Sequence, residues 1–234
     1  IEKGALDYIR AEGEEIAIGA MTSKRAAEDS ALIKAHQPLF HAATRLIGHL
    51  PVRNRGTVGG SFAHADPAAE YPAVALAQDL QMKAQGPNGT RLIAAQDFFV
   101  TFMTTSLEAS EVLTEVRLPA MKAGTGWSIQ EFTRRAGDLA LTGAVATLRK
   151  VNGLCQDTRI CAFGVSATAM RFPAAEALLN GKAPTAENFA RAASLASESV
   201  EEPIGDIHAT PEYRRHLVKV FVGRCLAEAA GRAT

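Results

Sequence analysis

Between Ala120 and Gly126 the chain reads Ala-Met-Lys-Ala-Gly-Thr-Gly, and the residue pattern changes across it. Beyond it, Trp127–Phe132, Ala140–Val151 and Thr158–Ser166 have the apolar, β-branched character of strands, with turns at Ala136-Gly137-Asp138 and Asn152-Gly153. Three helical runs follow, Pro173–Leu179, Thr185–Ser199 and Pro211–Ala230. A block of strands followed by a block of helices restricts this half to an α+β unit, with a sheet covered by helices. The expected organisation is two α+β units, residues 1–120 and 121–234, and 234 residues are enough for two small domains or one large one.

The first half is mixed. Leu6–Arg10 and Glu15–Ala20 around Glu12-Gly13 read as a hairpin. Thr22, or alternatively Ser23, caps a helix expected to run through Lys34. Pro38 suits the first turn of the next helix, whose apolar positions Leu39, Ala42, Ala43, Leu46 and Ile47 have helical spacing. Ala68–Ala77 is an apolar helix, and Leu80–Ala84 and Thr90–Ile93 form a second hairpin about Gly86-Pro87-Asn88-Gly89. Asp97 is expected to cap a short turn carrying Phe98, Phe99 and Phe102, and Glu111–Leu118 is a strand closed by Pro119.

Within this half, Thr57-Val58-Gly59-Gly60-Ser61 places a glycine pair between two hydroxyls. Glycine pairs permit positive φ and leave the backbone open to close approach. Successive free N–H groups in such a turn make a concave anion site, to which the Thr57 and Ser61 hydroxyls add donors. The same pattern also occurs in plain turns.

Composition excludes several classes. Charged residues make up 21% and the formal net charge is +0, so no electrostatic footprint for nucleic acid is present. No apolar run reaches the length of a membrane span, and the first fifteen residues lack the basic start and apolar core of a secretory signal. The three cysteines, Cys155, Cys161 and Cys225, have no metal or iron–sulfur spacing and read as reduced core thiols of a cytoplasmic protein. No phosphate loop of the G-x-x-x-x-G-K type and no strand-linked G-x-G-x-x-G occurs. No side chain stands out as a nucleophile or an acid–base pair, so no catalytic residue and no metal ligand is expected.

Several segments, taken in order, resemble one family over almost the whole chain. They are Ile18-Gly19-Ala20-Met21-Thr22, Val52-Arg53-Asn54-Arg55-Gly56-Thr57-Val58-Gly59-Gly60-Ser61, His64-Ala65-Asp66-Pro67-Ala68-Ala69, Asp97-Phe98-Phe99, Glu111-Val112-Leu113 up to Pro119, and Phe132-Thr133-Arg134-Arg135-Ala136-Gly137-Asp138. Together they resemble the FAD-binding (medium) subunit of molybdenum hydroxylases of the xanthine dehydrogenase and carbon monoxide dehydrogenase type. The resemblance implies a PCMH-type FAD-binding domain, here partial, followed by the smaller α+β C-terminal domain of such flavoproteins. It implies FAD as the cofactor, with molybdopterin on a large partner subunit and two [2Fe–2S] clusters on a small one. Electrons would pass from the clusters to FAD and on to an acceptor.

By the same resemblance, Thr57, Val58, Gly59, Gly60 and Ser61 hold the FAD pyrophosphate. Glu70 stands where relatives carry an Asp toward the ribityl or ribose hydroxyls, and Ile47 and Leu113 match apolar positions against the rings, or else simply pack the core. Gln130 and Glu131 occupy the place of a lysine near the flavin. Arg134 and Arg135 tie the two domains or a neighbouring subunit together, or are solvated, and His64 reads as a turn or interface histidine. The A-G-G-x-S-type loop that precedes these segments in relatives has no match between Ile1 and Arg53. The chain is therefore expected to be a fragment or to have lost half of the diphosphate clamp. The competing reading is a flavin-free scaffold of the same fold.

Overall fold

The computed structural model describes residues 3–234, the side chain of Lys3 excepted. A 3-10 turn, Lys3–Leu6, leads into the hairpin β1 (Ile9–Glu12) and β2 (Glu15–Gly19). Four helices follow, α1 (Lys24–Asp29), α2 (Ala31–His36), α3 (Pro38–Leu46) and α4 (Leu50–Arg55). Next come α5 (Val58–His64), α6 (Glu70–Ala77), the hairpin β3 (Gln81–Gly86) and β4 (Gly89–Ala94), and the short helix α7 (Ala95–Phe98). A small β5–β6 ribbon (Phe99–Thr101, Thr104–Thr105) precedes β7 (Val112–Pro119). The second half contains β8 (Gly126–Phe132), β9 (Thr142–Val151), β10 (Leu154–Phe163) and β11 (Met170–Arg171), then α8 (Pro173–Leu179), α9 (Ala186–Glu198) and α10 (Pro211–Arg232).

Two antiparallel sheets organise the molecule, ordered β1-β2-β7-β3-β4 and β11-β10-β9-β8. The fold is α+β with a sheet in each half, as the sequence pattern predicts. Where boundaries differ, the cause is local. Ser23 is the cap of α1, its hydroxyl accepting from Ala26 N, while Thr22 Oγ1 is engaged with the backbone of Tyr8. The expected helix to Lys34 breaks at Ser30, whose extended backbone closes α1 and whose hydroxyl caps α2. Asp97 lies inside α7 rather than capping it, Ala94 being the cap residue. Helix α4, built where no element was expected, starts with proline in its first turn.

Alternation along β9 and β10 feeds two cores. Val145, Cys161 and Phe163 point into a first core with Ile16, Phe40, Phe62, Tyr71 and Val116. Their neighbours Ala144, Ala146, Ile160 and Ala162 point into a second, with Phe189, Val218, Val222 and Leu226 of α9 and α10. A strand exposes successive side chains to opposite faces, so one strand serves both layers. Gly143 is required there, because a Cβ would lie 2.1 Å from the Phe163 ring.

Helix α6 lies between the halves. It packs on α3 and on β9 and β10, and Glu70, Tyr71, Pro72, Ala73, Val74, Ala75 and Ala77 are all buried. A helix apolar on all sides is what a position between two layers demands. Tyr71 stacks between Phe40 and Phe62, with ring centroids 4.5 and 5.4 Å away, and its hydroxyl pairs with Thr44 Oγ1 at 2.9 Å. The first residue of this central helix is a carboxylic acid. Among the described residues, no helix is long and apolar enough to cross a membrane.

Candidate functional site

The glycine pair lies in the first turn of α5, not in a loop. Thr57 is the cap, with extended backbone (φ −99°, ψ 158°), and its hydroxyl oxygen accepts from Gly60 N at 3.0 Å. Neither Gly59 nor Gly60 has positive φ. The amides are all engaged: Val58 N donates to Thr22 O at 2.9 Å, Gly59 N to Ala20 O at 2.9 Å and Ser61 N to Thr57 O at 3.2 Å. The expected nest of free N–H groups is therefore absent from residues 58–61. The donors left to a ligand are the hydroxyl hydrogens of Thr57 and Ser61, flanking the exposed Gly60.

The two glycines have different reasons. A Cβ at Gly59 would lie 2.4 Å from that of Ala20, so this glycine lets α5 sit against the end of β2. At Gly60 it would meet only the Thr57 hydroxyl, at 2.7 Å, on the solvent side. Gly59 is a packing glycine, and Gly60 keeps the surface of the turn open. Val58 is fully buried, so its side chain serves the core.

A cation missed by sequence reasoning stands beside this turn. Lys24 is only 8% exposed, and a Cβ on Gly56 would lie 3.1 Å from its Nζ. The pairing that brings it there is a short bridge, Ser23 opposite Thr57, with Lys24 N donating to Gly56 O at 2.9 Å. Burial lowers the Lys24 pKa, and the nearby Glu70 charge opposes that shift. A lysine one residue past a helix cap looks like an ordinary surface residue in the sequence. Only the bridge to Thr57 reveals its position.

Glu70 is 4% exposed. Burial pushes its pKa up to about 7, against the pull of its own backbone N–H and of Lys24, with Asp66 adding to the rise. Among the described residues it forms no ion pair within 4 Å. Glu131 approaches from β8, where burial and then the charge of Glu70 push its pKa up to about 8. Its Oε2 is buried without a hydrogen-bond partner.

Gln130, by contrast, is turned away. Ser128 and Gln130 both donate to Glu228 Oε2 of α10, each at 2.7 Å. Trp127 and Ile129 pack on the first core, so strand alternation puts Glu131 on that inner side and Gln130 on the α10 side. The other expected positions are spread. Ile47 follows α3, half-buried against the first core, and its carbonyl accepts from Arg53 at 3.1 Å. Leu113 packs in that core with 6% exposed, opposite Ala84. Arg134 donates toward His208 Nδ1 at 3.1 Å, Arg135 is exposed, and His64 stands open at the end of α5, 4.0 Å from Asp66. Among the described residues, no cluster of side chains has the makings of a metal centre.

Comparison with known proteins agrees with this layout. Residues 4–121 match the family model of the FAD binding domain in molybdopterin dehydrogenase. Residues 127–229 match that of the CO dehydrogenase flavoprotein C-terminal domain. The chain is 37% identical over 224 residues to the carbon monoxide dehydrogenase medium chain of Hydrogenophaga pseudoflava, covering 96% of this chain and 78% of that one. It is 38% identical over 220 residues to the nicotine 6-hydroxylase medium subunit of Paenarthrobacter nicotinovorans, covering 94% and 77%. The structure of the H. pseudoflava carbon monoxide dehydrogenase that lacks the Mo-pyranopterin moiety superposes with a TM-score of 0.95 at 39% identity, over 99% of this chain and 80% of that one. Quinoline 2-oxidoreductase from Pseudomonas putida 86 gives 0.93 at 34%, over 97% and 79%. The chain belongs to the FAD-binding medium subunits of the molybdenum hydroxylases.

Proposed function

We propose that this chain holds FAD between the first turn of α5 and the Glu70–Glu131 pair, and relays electrons through it. The donors are [2Fe–2S] clusters of a small partner subunit, and the substrate is oxidised at molybdopterin on a large one. Bound FAD supplies the redox chemistry; the protein supplies placement and charge. Thr57 and Ser61 offer hydroxyl hydrogens to the diphosphate, Gly60 lets it approach the backbone, and Lys24 supplies positive charge beside it. Glu70 offers an acceptor to sugar or ribityl hydroxyls. The observation that carries this reading is Gly60: it is exposed in the first turn of α5, and a Cβ there would meet nothing but the Thr57 hydroxyl, so the outer face of the turn is open to another group. The complex is placed in the cytoplasm, where Cys155, Cys161 and Cys225 stay reduced.

A flavin-free scaffold is the second reading. It is favoured by the engaged amides of residues 58–61 and by the packing role of Gly59, which gives one of the two glycines a reason independent of any ligand. Visible absorption after incubation with FAD and removal of free cofactor decides between them, measured on the chain alone and on the chain co-purified with its partner subunits. A retained flavin band in either preparation supports the electron relay. Colourless protein in both leaves the scaffold.

A further inference from the structure

Helix α10 turns one face to β8 and β9 and the other outward. Its buried row, with Leu217, Val218, Val222 and Leu226, belongs to the second core. Helix α9 runs antiparallel beside it. Ser197 Oγ donates to Arg215 O at 2.8 Å, and farther along a Cβ on Gly223 would lie 3.7 Å from that of Ala193. Between the outer faces of the pair is an open groove of about 460 Å³. Phe189, Ala193, Val220 and Gly223 are buried or half-buried along its floor, and exposed Ala190 and Ala227 flank it. The lining runs from residue 216 to residue 227 of α10, about 16 Å of helix. Glycine weakens a helix interior relative to alanine. Beside Gly223 there is ordinary room for a methyl, so packing does not demand the glycine, and its effect is a deeper floor.

The fixed charge lining the groove has one sign. Lys219 and Arg224 line it, with His216 at one end, and no carboxylate does. Among the described residues no acid is ion-paired with Lys219 or Arg224. The Arg224 guanidinium lies over the Phe221 ring, 5.4 Å from its centroid. Glu187, Arg191 and Glu198 of α9 are exposed but outside the lining. An apolar groove edged by polar groups is the form of a docking surface, and one between two helices accepts the apolar face of a third. Unpaired cations on its edge select a partner with carboxylates beside that face, because charge complementarity decides which partner docks and in which register. A second copy of this chain does not meet that need: across a two-fold axis the patch faces itself, cations against cations. We propose that the α9–α10 groove docks an acidic amphipathic helix of another protein, its apolar face on the floor and its Glu or Asp side chains paired with Lys219 and Arg224. The groove does not depend on bound FAD.

Two stapled peptides of about four turns test this. One has Leu and Ala along one face with Glu beside them, and the other has every Glu replaced by Lys. Each carries a fluorophore, and anisotropy is read with the full chain at low and high salt. The Glu peptide should bind about tenfold tighter than its Lys counterpart and lose most of that advantage at high salt. Gly223→Ala adds one methyl to the floor and strengthens the helix, so the Glu peptide should bind about fivefold more weakly while the urea midpoint rises. Lys219→Glu combined with Arg224→Glu, both at exposed positions, should reverse the preference toward the Lys peptide. Equal binding of the two peptides, a preference unmoved by the charge reversal, or unchanged binding to Gly223→Ala overturns the proposal. Binding of neither peptide also overturns it, and laurate bound in their place would assign the groove to a small amphipathic anion. A dimer of the chain that Ala190→Glu dissociates overturns it in favour of a second copy.

Discussion

Gly59 and Ala20 are in contact so close that a Cβ on Gly59 would lie 2.4 Å from the Ala20 Cβ and 2.7 Å from its carbonyl oxygen. Gly59 N also donates to that oxygen at 2.9 Å, locking the start of α5 to the end of β2. Backbone, not a flexible side chain, stands in the way, so Gly59→Ala should lose about 2–3 kcal/mol of stability, read as a lower urea midpoint at constant slope.

Gly60→Ala should behave differently. Its new Cβ meets only Thr57 Oγ1, at 2.7 Å, and a hydroxyl can rotate. The expected loss is about 1 kcal/mol, that of a weakened helix cap. Flavin retention should fall much further than stability does. Equal effects of the two substitutions on flavin retention would contradict the division of roles between these glycines.

The carboxyl pair predicts a sign for the pH dependence of folding. Glu70 and Glu131 are held at about 7 and about 8, against an ordinary value of 4.5. Between 4.5 and 8 the folded chain therefore retains protons that the unfolded chain has released, and stability falls as pH rises through that window. The urea midpoint should decline from pH 5.5 to 8.5. In Glu131→Gln the linked uptake should drop by about one proton. Parallel curves for the two proteins would show that Glu131 does not titrate there.

Arg214 anchors residues 203–209 to the second sheet. It is 3% exposed, donates to Leu141 O and to Gly164 O (2.7 Å), and reaches Asp206 at 2.5 Å. Arg214→Met leaves the buried Gly164 carbonyl without a donor, while Thr142 Oγ1 still donates to Leu141 O, a loss of about 1–3 kcal/mol. Hydrogen exchange should quicken at His208 and Ala209, whose amides donate to the same Asp206.

The three thiols should be inert in the folded chain. Cys155, Cys161 and Cys225 are all buried, and burial raises the pKa of each, that of Cys225 to about 12. A disulfide-exchange reagent should label none of them within minutes at pH 8 and all three once denaturant is added.

Much of this was legible in the chain itself. The hairpin about Gly86–Gly89, the strand before Pro119 and the three C-terminal helices follow from turn chemistry and apolar period, which are local properties. The errors have a common origin in long-range contacts. Thr22 is a plausible cap by itself, but Tyr8 takes its hydroxyl. The glycine pair suggested a free-amide nest, but Thr22 and Ala20 supply acceptors for those amides from a distant part of the sequence. Lys24 and Glu131 could not be read as neighbours of Glu70, because each reaches it from a different element. Gln130 and Glu131 are adjacent in the chain, but the period of the strand puts them on opposite faces.

Helix α6 gives the linker at residues 120–126 an unexpected meaning. The chain changes character there, but the interior does not divide with it. Val145, Cys161 and Phe163 from the second half complete the interior of the first, and α6 from the first half lies on β9 and β10. Cutting the chain at the linker would strip both pieces: one would bare the faces of α6, the other the inner row of its sheet. The two family segments, though separable in sequence, share one interior, and the buried carboxyl of Glu70 opens the helix that lies across their joint.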